Sequence, residues 1–144
     1  MPKSTTTCNE ILALLFNATA IANIADNASS SPLTNLYISL HTANPGVGGA
    51  QTTNETSYTN YARVAVARTT GGWAVPSSAS TSNAALVQFA QCGVTGATIT
   101  YVAIGTASSG AGKTLYVGAL SSSLAVATLI VPQFAANALT IAES

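Results

Sequence analysis

Charge is what this sequence has least of. Lys and Arg number 4, Asp and Glu another 4 and His 1, so charged residues make up 6% of 144 positions, against about 25% in an ordinary soluble domain. The basic residues, Lys3, Arg63, Arg68 and Lys113, are scattered and the net charge is zero, which leaves no positive field for capturing DNA or RNA. Nucleic acid is therefore not expected as a direct ligand. A free monomer with so little surface charge would also be poorly protected against association.

Long apolar runs are missing as well. No stretch reaches the ~20 residues that a spanning helix needs, so the composition fits a subunit covered by partners better than a membrane protein. Metal ligands and catalytic groups are equally scarce: His41, Asp26, Glu10, Glu55, Glu143, Cys8 and Cys92 are the whole inventory. No local spacing supplies even two convergent ligands, so neither a metal nor a cofactor is expected. Of the carboxylates a glycosidase pair would need, only Glu55, in a long loop, is placed to face a ligand.

The two cysteines have no CxxC spacing and fall on different elements; a disulfide is open, but two free thiols of a protein made in a reducing cytosol is preferred. His41 with Cys92 could form a thiol–imidazole pair, with Glu55 or Asn44 as the orienting group. The preferred reading is a strand-end histidine bonded to backbone and a cysteine acting as a small core residue. The chain is thus read as a non-enzyme.

What is present includes one suggestive stretch, GTASSGAGKT, Gly105 to Thr114. Its Gly-Lys-Thr ending resembles that of a phosphate-binding loop, but position 107 is Ala where the first glycine should stand, and no helix follows. Leu115, Val117 and Ala119 instead alternate as one face of a strand, so a glycine-rich hairpin turn is expected.

At this length the chain suits one domain plus an N-terminal element. Residues 1–31 read as a polar arm, a helix and a linker. Thr7 to Glu10 fits a capping box that starts the helix near Asn9. Ile11, Leu14, Leu15, Ala18, Ile21, Ala22 and Ala25 follow at helical spacing, with Leu12, Phe16 and Ile24 widening the apolar surface. A secretory signal with cleavage near Ala20 to Ala25 is the rival reading, against which Asn17 and Asn23 interrupt the apolar stretch. Residues 27–32 are a linker that Pro32 ends.

From residue 32 to 144 the period changes to two. Strands are predicted at Leu36–Leu40, Tyr61–Thr69, Ala84–Phe89, Thr98–Ile104, Leu115–Leu120, Ala125–Val131 and Ala138–Ile141. A polar loop, Gly46 to Asn60, and the serine patches Ser77–Ser82 and Ser121–Ser123 separate them. Short strands with frequent turns argue for a mainly β fold, an antiparallel β-sandwich or partly closed barrel with one N-terminal α-helix. The Asn-x-Ser/Thr triplets at Asn17, Asn27 and Asn54 are what chance gives in so polar a chain.

The stretch LYISLHTANPGVGGAQTTNETSYTNYARVAVART, Leu36 to Thr69, resembles a family of small bacteriophage virion proteins with an LY-x-x-LHT-x-x-PG…YARV pattern. The resemblance continues through Gly72-Trp73 and ITYVAIGTASSGAGKTLYVGAL. Members are tail fibre-like, and similar small β-domain proteins serve as capsid decoration. It implies no catalytic residue. By residue type, Pro45 and Gly46 would set a turn, Tyr58 and Tyr61 would pack the loop, and Arg63 and Arg68 would form a charge pair or inter-subunit contact.

The expected function is a homo-oligomeric structural subunit of the virion, made in the host cytoplasm and contacting other virion proteins. Capsid decoration or cement is the first expectation and a tail fibre or adaptor the alternative. Candidate interaction residues are Ile11, Leu15 and Phe16 on the helix, for docking on a neighbour, and Tyr58, Tyr61 and Arg63 near the loop exit.

Overall fold

The structure is a computed structural model that describes residues 3–21, 32–48 and 50–144. One helix, α1 (Thr5–Phe16), precedes β1 (Asn35–His41), β2 (Val64–Ala67), β3 (Ser80–Ser82), β4 (Val87–Gln88), β5 (Ala97–Gly105), β6 (Thr114–Val126), β7 (Gln133–Phe134) and β8 (Thr140–Ala142). Four strands form a sheet in the order β2-β1-β5-β6, while β3 pairs with β8 and β4 with β7. The pairings of β1 with β5, β5 with β6 and β3 with β8 are antiparallel. The fold is mainly β with one N-terminal helix, as the alternation predicts; the larger sheet has two free ends in its order, so it is not a closed barrel.

The chain divides into two compact units. The first takes Met1–Asn35, Val66–Val87 and Phe134–Ser144, the second Leu36–Ala65 and Gln88–Gln133.

In the first unit α1 starts earlier and stops sooner than the spacing predicts. Ser4, extended at φ −69° and ψ 153°, is the N-cap, and its Oγ accepts from the Thr7 backbone N–H. Thr7 therefore lies inside the helix rather than capping it. At the other end Asn17 turns its N–H back to the Ala13 carbonyl, and Ala18 adopts a left-handed φ of 54°, which ends the helix. The predicted continuation beyond residue 21, and the 27–31 linker, lie outside the described residues.

The buried face of α1 is Cys8, Leu12 and Phe16, spaced by four, not the Ile11–Leu14–Leu15 stripe, whose members are half-buried. Phe16 packs edge-on against Trp73, with ring centroids 4.7 Å apart. Trp73 is bridged to Asn83, and the fully buried Asn83 amide ties three backbone segments. Its Nδ2 donates to the Ala85 and Ala135 carbonyls and its Oδ1 accepts from the Leu139 N–H, each at 2.8 Å. The serine patch predicted as a loop contributes β3, because Thr81 lies buried opposite Ile141 of β8. The predicted Ala84–Phe89 strand shrinks to the two residues of β4.

In the second unit β1 and β5 pair in the register Ile38↔Ile104, Ser39↔Ala103, Leu40↔Val102 and His41↔Tyr101. One face carries Ile38, Leu40 and Ile104. The other carries Ser39 and His41, which are also buried, so the strand predicted as half-buried is covered on both faces. The register of β6 shows how Ser121–Ser123 is accommodated: Ile99 pairs with Leu124 and Tyr101 with Ala119, leaving Leu120 to Ser123 opposite Thr100 alone. Two predicted strands are therefore one strand with a wide bulge. Its continuation after Val126 is turn rather than strand. The predicted Tyr61–Thr69 strand is reduced to β2, because the side chains of Tyr61 and Arg63 are drawn into the loop cluster described next.

Candidate functional site

The loop predicted to be polar clamps the second unit's sheet through residues 50–63. Leu40 accepts at its carbonyl from the Thr56 N–H, and Thr42 donates to the Asn54 carbonyl, so residues 54–56 run antiparallel along the end of β1. That backbone pairing, which bridges His41 to Glu55, aims the Glu55 carboxylate at three donors. Arg63 grips it with two parallel bonds, Nε to Oε1 and Nη2 to Oε2, both 2.7 Å. Tyr61 donates its hydroxyl to Oε1 at 2.8 Å while accepting from the Leu40 N–H at 3.1 Å.

The remaining donors of Arg63 hold the glycine-rich turn. Nη1 donates to the Ala107 carbonyl and Nη2 to the Gly110 carbonyl, each at 2.8 Å. Gln51, fully buried, adds a second hold: its Oε1 accepts from the Ala107 N–H at 2.9 Å, and its own N–H donates to the Ala111 carbonyl. A Cβ on Gly105 or Gly112 would stand 2.2 Å or 2.1 Å from the Gln51 side chain, so glycine is required at both positions for this packing. The turn joins β5 to β6 as a hairpin, and its backbone is engaged by an arginine and a glutamine, not shaped to cradle phosphate. Beside it Val47, Gly48, Ala50, Gly112, Lys113 and Thr114 line a shallow groove of about 370 Å³ whose one charged group is Lys113.

Burial and partners set the titration of this cluster. Burial, reinforced by Glu55, pushes the Tyr61 hydroxyl far above its ordinary range, and burial pushes Tyr58 up to about 12. The hydrogen bonds to Glu55 raise Arg63 further above its ordinary value. His41 is lowered from 6.5, chiefly by burial. Its two ring nitrogens meet the Ser39 hydroxyl and the Thr53 carbonyl, both at 2.9 Å.

The structure does not assemble a thiol–imidazole pair from these groups. Cys92 directs its thiol to the Gly93 and Thr95 carbonyls, both cysteines are free and buried, and Glu55, expected to face a ligand, is occupied by Arg63 and Tyr61. Among the described residues no three of His, Cys, Asp and Glu come together, and no helix is long and apolar enough to cross a membrane.

The candidate interaction residues are used mostly within the chain. Phe16 is fully buried and Tyr58 is 2% exposed, with its hydroxyl donating to the Ala90 carbonyl; the Arg63 side chain is 3% exposed. Tyr58 meets Tyr61 edge-on at 5.3 Å, and Tyr61 stacks on Phe89. These large side chains are internal fasteners because the loop folds back over them, and Ile11 and Leu15 remain half-buried on α1. Sequence reasoning missed Gln51 and Asn83, for which a polar residue in a polar stretch gives no local signal. The turn roles assigned to Pro45 and Gly46 fit the Asn44 side chain, which accepts from the Gly46 N–H at 2.8 Å, with Gly46 at φ 79°.

A mainly β chain whose Glu55, Arg63 and Arg68 are spent on internal contacts suits a structural subunit. Residues 2–142 match the family described as Podophage GP4 fiber I protein gp80. The chain belongs to this family and is a bacteriophage structural protein, a component of the virion. No curated protein matches it.

Proposed function

We propose that the chain is a tail-fibre component of a podophage virion that works through contacts with other virion proteins and catalyses no reaction. The family match over residues 2–142 carries this reading. Capsid decoration, the first expectation from sequence, rests on a looser likeness between small β-domain proteins, and the fibre alternative takes its place. Support for a non-catalytic role comes from three groups weighed for chemistry that are already occupied: Glu55 holds Arg63, both nitrogens of His41 are engaged, and Cys92 faces carbonyls.

Copy number tests the reading. Quantitative mass spectrometry of purified particles, calibrated against the major capsid protein, is expected to find a handful of copies per particle. A ratio near one per capsid subunit, or one per few, would overturn the fibre assignment in favour of a cement.

A further inference from the structure

The chain's single histidine is buried at the joint where β1 meets the loop that clamps it. Residues 54–56 run back along the end of β1, and the Thr53 carbonyl just before them lies 2.9 Å from His41 Nδ1. A carbonyl can only accept, so Nδ1 carries the proton of the neutral ring and Nε2 offers its lone pair to the Ser39 hydroxyl, also at 2.9 Å. One proton satisfies both nitrogens.

A second proton has no good place. It must go on Nε2, which turns that atom into a donor and forces the Ser39 hydroxyl towards the Ala103 carbonyl, 3.4 Å away. The titratable and charged groups around the ring are Glu55 across the bridge, Arg63 and Tyr61 bound to that carboxylate, and Tyr101, paired with His41 on β5. Glu55 favours the imidazolium and Arg63 opposes it, but the carboxylate is already engaged and burial outweighs its pull.

We propose that His41 is an acid-released latch, whose protonation opens residues 50–56 while β1 stays paired with β5. The loop is the part that can yield. Residues 50–56 form no strand of the sheet and are joined to β1 by the backbone bonds Thr56 to Leu40 and Thr42 to Asn54, whereas β1 is paired with β5 from Tyr37 to His41. Opening lets the ring reach water and takes Glu55 off Arg63. The guanidinium keeps its bonds to the Ala107 and Gly110 carbonyls, so acid uncovers two cations at one spot. The sign follows from the closed state, which lowers the His41 pKa from 6.5: the open form takes the extra proton first, and opening grows as pH falls below that value.

The test uses the full chain in solution and does not depend on where in the particle it sits. Hydrogen exchange read by mass spectrometry, corrected for the intrinsic rate at each pH, is expected to show residues 50–56 opening more often over the pH unit below 6.5, with a ceiling of about fivefold. Residues 97–105 of β5 are expected to keep their protection. Loop protection that does not change with pH, or a loop and β5 that lose protection together, would overturn the latch. His41→Gln keeps a polar side chain that does not titrate, and its loop exchange is expected to be independent of pH over the same range; a loop that stays equally acid-sensitive would refute the role of His41. Should that variant fail to fold, the His41 ring resonances of the wild type decide. A titration midpoint below 6.5 is expected, and an ordinary midpoint with the loop still protected would sink the idea.

Discussion

Each compact unit holds an arginine on backbone carbonyls, and the two guanidiniums are satisfied in different ways. In the first unit Arg68 donates to the carbonyls of Leu14, Leu15 and Leu33. The last turn of α1 contains no basic residue, so Arg68 supplies from elsewhere the cation that a helix C-terminus favours. Burial lowers its pKa. In the second unit Arg63 divides its donors between the Glu55 carboxylate and the carbonyls of Ala107 and Gly110, and the acid raises its pKa. One unit uses an arginine to finish a helix, and the other uses one to weld two loops. In a chain with so few charges, each serves where regular structure leaves carbonyls without donors.

Removing the largest buried side chain of the first unit should break the comparison most severely. Trp73→Ala, which also strips Phe16 of its aromatic partner, is expected to lose about 4 kcal/mol in urea unfolding followed by far-UV circular dichroism. In the second unit Glu55→Ala leaves the Arg63 charge dry and should cost about 3 kcal/mol, whereas the double change Glu55→Gln with Arg63→Met should recover part of that loss. Arg68→Ala orphans carbonyls without stranding a charge, so about 2 kcal/mol is expected, with faster amide exchange concentrated in the last turn of α1. Ser4→Ala removes one cap bond at an exposed helix start and should cost about 1 kcal/mol, readable as a small drop in melting temperature.

The mildest perturbation is a proton. Because the folded pKa of His41 is lowered from 6.5, the unfolded chain binds more protons below that value, so the stability His41 contributes is complete above pH 6.5 and is lost as pH falls towards the folded pKa. Unfolding midpoints measured downwards from neutral pH should decline in wild type, and His41→Gln should flatten that part of the curve.

The places where sequence reading succeeded and failed share a physical cause. The period-two run at Leu36 to Leu40 and the apolar run at Ile99 to Ile104 predicted β1 and β5, because alternation records burial within one strand. The hairpin at Gly105 to Thr114 was legible from its glycines. The serines misled in both directions: Ser80–Ser82 joins a sheet through Thr81 opposite Ile141, and Ser121–Ser123 sits in a bulge within β6. Neither outcome depends on the serines themselves. The helix was placed correctly but bounded wrongly, since Ser4 and Thr7 are equally good caps by residue type and Asn17 stops the helix with its side chain bonded to the Trp73 carbonyl. Tyr58 and Phe16, named as candidate interaction residues, are buried within the chain because the loop and α1 turn them inward.

By itself the sequence determined the mainly β class, the single N-terminal helix, the hairpin in place of a phosphate site and the poverty of chemical groups, all of which follow from local period and composition. Only the tertiary structure decided that Glu55, Tyr61 and Arg63 form one cluster with a turn more than forty residues further on, that Arg68 finishes a helix, and that Ser121–Ser123 falls in a bulge of β6. Hydrogen-bond partners and sheet order are set by which distant segments meet, and residue type at one position carries no record of that meeting.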